Sequence, residues 1–103
     1  NIEKKISRCY HITMREALKQ FLNKKIVVDT SSSWIYIGTL ENIGKDSIEL
    51  SEVDVHDSKD TPTTKEIYLL DSKKTGIKSN RDRTYINMNY IISFSPLEDV
   101  KGF

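Results

Sequence analysis

Cysteine is nearly absent from this chain. Cys9 stands alone among 103 residues, so no internal disulfide can form and no thiolate cluster can hold a metal. A lone thiol fits a reducing compartment most simply, and the cytoplasm is the expected location. Long apolar runs are missing as well: none approaches the ~20 residues of a helix that spans a bilayer. The charged N-terminus has no apolar segment of the signal-peptide kind. Charge of one sign is not in excess, with 16 Lys and Arg against 15 Asp and Glu and a net of +1, so bulk charge points to no partner. Catalytic constellations are lacking too. Ser31, Ser32 and Ser33 form a polar loop with no positioned base. His11 and His56 are isolated, and Asp54, Asp57 and Asp60 near His56 read as an acidic turn rather than a metal site. No enzyme activity, metal, cofactor or small-molecule substrate is expected, and no membrane association.

What is present is the composition of one globular domain, 37% hydrophobic and 30% charged, at the commonest domain length. The charges are segmented. Residues 1–25 hold seven Lys and Arg against two acids, a net of +5; residues 26–57 hold Lys45 against seven acids, −6; residues 73–83 hold five cations against Asp82, +4. Two basic segments thus flank an acidic hairpin. Either they face an external polyanion, or they face the hairpin itself, in this chain or a neighbouring copy.

Periodicity places the elements. Thr13 with Glu16 has capping-box spacing, and Met14, Ala17, Leu18, Phe21 and Leu22 share one helical face, predicting a helix over 14–22. Residues 1–12 are read as an N-terminal extension, either more helix or a loosely held leader, with Met14 a candidate start; residues 13–103 are one domain. Ile26-Val27-Val28 predicts a strand over 25–29. The run Trp34-Ile35-Tyr36-Ile37-Gly38-Thr39-Leu40 predicts a second over 34–43 that bends at Gly38, turns on Gly44-Lys45-Asp46, and returns over 47–56. In that third strand the apolar residues change parity between Ile48, Leu50 and Val53, Val55, as a β-bulge requires. Pro62, Thr63 and Glu66 announce a helix over 64–75 that Gly76 ends, inside an insert of about 58–83. Two last strands, 84–88 and 91–95, join at Asn89-Tyr90 and stop at Pro96.

This order resembles the Sm-like (LSm) family: a small, strongly bent five-stranded antiparallel barrel of the SH3-like kind with an N-terminal helix, here with a helical insertion between strands 3 and 4. Ile35, Ile37, Gly38, Leu40 and Ile43 match the hydrophobic and glycine positions of its first motif, and Ile48 and Leu50 match its third strand. The resemblance covers about 22–56 and 84–95. It implies a non-enzymatic protein of oligomeric rings, in which the fourth strand of one copy pairs with the fifth of the next. Tyr85, Ile86, Met88, Ile92 and Phe94 are the candidate edge residues. The alternative is a monomer whose insert folds over an edge.

The resemblance also implies a base-binding rim built by the turn after the glycine and the turn after strand 4. Ser47 stands where the family has Asn, with Lys45 or Asp46 near the stacking position; Asn87 stands at the family's Arg and Met88 at its Gly. Lys45, Ser47, Asn87 and Asn89 are therefore candidate RNA-binding residues. Lys73, Lys74, Lys78, Arg81 and Arg83 add candidate phosphate contacts, although cations near a helix C-terminus also simply oppose its dipole. Trp34, Tyr36, Tyr85 and Tyr90 are a stacking platform on one reading and packing for the core or a subunit contact on the favoured one. The expected function is binding of RNA or single-stranded nucleic acid; the alternative is a structural or protein-interaction module of the same assembly.

Overall fold

The structure is a computed structural model and describes residues 12–59 and 64–102; Cys9, His11, Asp60, Pro62, Thr63 and most of the expected N-terminal extension lie outside them. Helix α1 (Met14–Lys19) begins as its cap predicts, Thr13 Oγ1 accepting from Glu16 N at 3.1 Å. It ends three residues before Leu22. Gln20 and Phe21 donate to Ala17 O and Leu18 O in tight i→i−3 bonds, and Asn23 takes a left-handed φ of 65°. That turn lets Asn23 N donate to Leu40 O at 2.7 Å, so tertiary docking ends the helix. Leu18 is fully buried under it, and Phe21 meets Phe94 edge-on at 5.6 Å.

Five strands follow: β1 (Lys25–Thr30), β2 (Trp34–Ile43), β3 (Ser47–Asp57), β4 (Arg81–Asn87) and β5 (Ile91–Pro96). They form one antiparallel sheet in the order β4-β3-β2-β1-β5. Two irregularities in the β2–β3 ladder bend it. Ile37 faces Asp54 but Thr39 faces Ser51, so β3 carries an extra residue there, and Glu52 absorbs it with φ of 49°. Between Leu40↔Leu50 and Asn42↔Glu49 the extra residue is on β2. Gly38 lies buried at the first bulge, where β3 crosses so closely that a Cβ would stand 3.0 Å from Ser51 O. The glycine is needed for this approach.

Strand β4 starts at Arg81, three residues earlier than its apolar pattern suggests, because β3 supplies ladder partners for Arg81 (Val53) and Arg83 (Ser51). Met88 leaves the strand for a 3-10 turn, Met88–Tyr90.

Both faces of β1 and β2 are covered. Ile26, Val28 and Leu40 enter the barrel with Leu18, Ile48, Leu50, Val53 and Ile86. Val27, Ile35 and Ile37 point the other way and pack with Leu97, Tyr68, Leu69, Ile77 and Val100. Helix α2 (Lys65–Thr75), capped by Thr64 rather than Thr63, thus lies on the outer face of its own barrel. Gly76 ends it with φ of 96°.

Polar contacts add to this docking. Lys65 pairs with Asp29, the Tyr68 hydroxyl donates to Asp54 Oδ2 at 2.5 Å, and His56 stacks on Tyr68 with centroids 3.9 Å apart. Asn80 completes the cluster, donating to Asp54 Oδ1 at 3.2 Å and bonding both backbone polar groups of Val55. Burial, and then the Asp54 carboxylate that accepts its proton, hold the Tyr68 phenol far above its ordinary value. A raised folded pKa leaves its contribution intact below the unfolded value of about 10 and removes it as the unfolded chain ionises above that pH. The urea midpoint is therefore expected to fall progressively as the pH rises above about 10, and Tyr68→Phe to make that fall shallower.

Candidate nucleic-acid interface

Alternation along β4 sends Ile86 into the core, 5% exposed, and leaves Arg81, Arg83, Tyr85 and Asn87 on the opposite face. All four are exposed. At i, i+2 spacing they form a row of two cations, an aromatic ring and an amide. Arg83 Nε bonds Glu49 Oε2 at 3.0 Å. The Arg83 side chain is 60% exposed and Glu49 only 18%, so the guanidinium stays open to solvent beside a half-buried carboxylate. Arg81 Nη1 donates to Asn80 O at 3.0 Å, and its other donors meet no acceptor among the described residues.

The row ends where two turns meet. Ser47 pairs with Asn87 in the ladder, and Met88 N donates to Asp46 O at 2.8 Å. Lys45, Ser47, Asn87 and Asn89, far apart in sequence, are brought to one rim. Arg15 of α1 braces it, Nη1 donating to Gly44 O at 2.5 Å and Nη2 to Lys45 O. Sequence patterns alone did not nominate Arg15. Asn87 Oδ1 accepts from Asn89 N at 2.9 Å and so shapes the 3-10 turn, while its NH2 meets no acceptor among the described residues.

Next to Asn87 is a cavity of about 370 Å³ lined by Thr30, Ser31, Ser32, Tyr36, Tyr85, Ile86, Asn87 and Tyr90. Three of the four aromatic residues considered as a stacking platform share it. Tyr36 is half-buried against the core, but Tyr85 and Tyr90 are 62% and 60% exposed, so core packing does not account for them. Ser31 N donates to Tyr90 O at 2.9 Å and fixes the loop against the turn. Trp34 lies elsewhere, at the start of β2.

The remaining candidates divide. Lys73, Lys74 and Lys78 belong to the end of α2 and the segment after it, away from the rim; all are exposed, and Lys73 Nζ donates to Val100 O at 2.6 Å. Among the edge residues, Ile86, Met88 and Phe94 pack on the core, and Met88 lies past the end of β4 with its N–H on Asp46 O and its C=O accepting from Ile91 N, so it offers a neighbour no ladder group; Tyr85 and Ile92, 65% exposed, present side chains. Strands β4 and β5 are the sheet's two edges.

No family model matches the chain, and no curated protein does. Among solved structures, an Sm protein of Pyrococcus abyssii in complex with a uridine heptamer matches with a TM-score of 0.56, covering 82% of this chain and 99% of its own at 10% identity. The protein has the Sm-like barrel fold, with a helix before the strands and another between β3 and β4. Among the described residues, no helix is long and apolar enough to cross a membrane.

Proposed function

We propose that the protein is a non-enzymatic Sm-like module that binds single-stranded RNA along the outward face of β4 and at the rim where β4 ends. The observation that carries this reading is the exposed row Arg81, Arg83, Tyr85, Asn87, running into the joined turns that hold Lys45, Ser47 and Asn89. Cations contact phosphates, Tyr85 stacks on a base, and Asn87 and Asn89 bond base edges. The uridine heptamer bound by the structurally similar Sm protein supports the ligand class. The family's own mode of base contact is altered here, because Asn87 and Met88 stand where that family has Arg and Gly.

The same reading makes the protein a heterologous homo-oligomer. Among the described residues no strand pairs with the outer side of β4 or β5, Tyr85 and Ile92 expose apolar surface on them, and α2 packs on the outer face of β1 and β2. Pairing the β4 of one copy with the β5 of the next removes both edges, and a ring follows if the rotation closes.

Two measurements test the proposal. Light scattering is expected to give a mass of several protomers, which Ile92→Lys lowers; a monomer overturns the assembly. Fluorescence titration with a single-stranded oligoribonucleotide is expected to show affinity falling with salt at about −0.7 per phosphate contacted, and Arg81→Gln with Arg83→Gln to flatten the slope by about 1.4. Tyr85→Ala is expected to cost about 1 to 3 kcal/mol of binding at constant slope. No retention of RNA at low salt, with the multimer intact, assigns the protein instead to structural or protein-interaction duty.

A further inference from the structure

The ends of the two basic segments, some fifty residues apart in sequence, meet in the fold. Lys24 and Lys25 at the start of β1, and Lys73 near the end of α2, line one cavity of about 430 Å³ together with Ser72, Gly76, Pro96, Leu97 and Glu98. Its volume is in the range of small-ligand sites. Buried Leu97 and half-buried Pro96 supply an apolar part of the wall, and the three lysines are exposed. The acidic hairpin does not neutralise them: among the described residues, its ion pairs go to Lys65, through Asp29, and to Arg83, through Glu49. Among the described residues, Glu98 is the one acidic residue in the lining, against three lysines. Lys73 uses one of its three donors on Val100 O and keeps two.

A helix C-terminus attracts one or two cations by its dipole, and Lys73 and Lys74 in the last turn of α2 meet that need. Lys24 and Lys25 come from a different element. Bringing them to the same cavity adds like-charge repulsion that the helix end does not require, and an anion relieves it.

We propose that this cavity is a second nucleic-acid contact, taking one nucleotide unit of the bound RNA with its phosphate on Lys24, Lys25 and Lys73 and its ribose or base against Pro96 and Leu97. The inference rests on the RNA-binding reading above and extends the contact surface from β4 to the side of the barrel that carries α2. It also gives the insert a role: α2 supplies one wall of the site and lies over the outer core beside it.

The test compares the full chain with Lys24→Gln/Lys25→Gln and with Lys19→Gln/Lys59→Gln, a control that removes the same charge from exposed lysines outside the cavity. Fluorescence titrations with a short single-stranded oligoribonucleotide of mixed sequence are read at several salt concentrations. The cavity variant is expected to bind about tenfold more weakly at low salt, with the slope of log affinity against log salt reduced by about 1.4, while the control changes little. Equal losses in both variants would show a net-charge effect alone and overturn the cavity site. An unchanged slope in the cavity variant overturns it too, yet leaves RNA binding at β4 standing, as the Arg81 and Arg83 variants report separately. If the unaltered protein retains no RNA, both readings fail together.

Discussion

Gly38→Val is expected to lower the stability of the fold by about 3 kcal/mol or more, because it forces a branched side chain into space that β3 already fills. A Cβ at this position stands 3.0 Å from Ser51 O, 3.1 Å from Val53 Cγ2 and 3.4 Å from Leu50 Cβ. The first of these is backbone and cannot rotate away. Relief requires moving β3 at its bulge, where Glu52 already holds a left-handed φ that costs a non-glycine residue about 1 kcal/mol or more. With a urea dependence near 1.5 kcal/mol per molar for a domain of this size, the midpoint drops by about 2 M. Gly38→Ala is expected to fall between the two. Coincident urea curves for the alanine variant and the unaltered chain would mean that β3 does not cross over Gly38 so closely.

Ile37→Ala is the second large effect, about 3 kcal/mol, equal to that of Leu50→Ala inside the barrel. Ile37 is fully buried, but on the outer face of the sheet, against Leu97 and the residues that accompany α2. On a barrel whose outer face met water, the same truncation falls within about 0.5 kcal/mol. Urea unfolding of the two variants side by side therefore measures whether the insert is part of the folded unit. A loss at Ile37 well below that at Leu50 would show an insert only loosely applied to the barrel.

The two effects concern features of unequal legibility. The bend at Gly38 could be read directly, since a glycine in the middle of an apolar strand pattern marks a bulge, a tight bend or a close approach of backbone. The bulge on β3 was legible as well, in the change of parity between Leu50 and Val53. The docking of α2 was not predicted, although its signal was present: Ile26-Val27-Val28 and Ile35-Tyr36-Ile37 run apolar without alternating, the mark of strands covered on both faces. A continuous run says that both faces are buried but not what covers the second. The start of β4 at Arg81 was hidden for a related reason. Its first residues carry no apolar alternation, and only the ladder partners on β3 make them a strand.

The same division runs through the candidate interface. Lys45, Ser47, Asn87 and Asn89 could be nominated from the turns they occupy, and Arg81 and Arg83 from their alternation. Their meeting at one rim depends on the Met88 to Asp46 hydrogen bond between turns some forty residues apart, and on Arg15 reaching across from α1. The shared cavity of Tyr36, Tyr85 and Tyr90 and the convergence of Lys24 and Lys25 on Lys73 have no local signature at all.

Taken alone, the amino-acid order determined which segments are helix or strand, where the long hairpin bends and where the insert interrupts the sheet. Those properties follow from hydrophobic period, capping residues and a missing Cβ, all of which act within a few positions of the chain. Tertiary structure decided where α1 stops, where β4 begins, which face α2 covers and which charges become neighbours. Each of these depends on surfaces joined across dozens of residues, and a pattern that reports only its own faces carries no record of what will be placed against them.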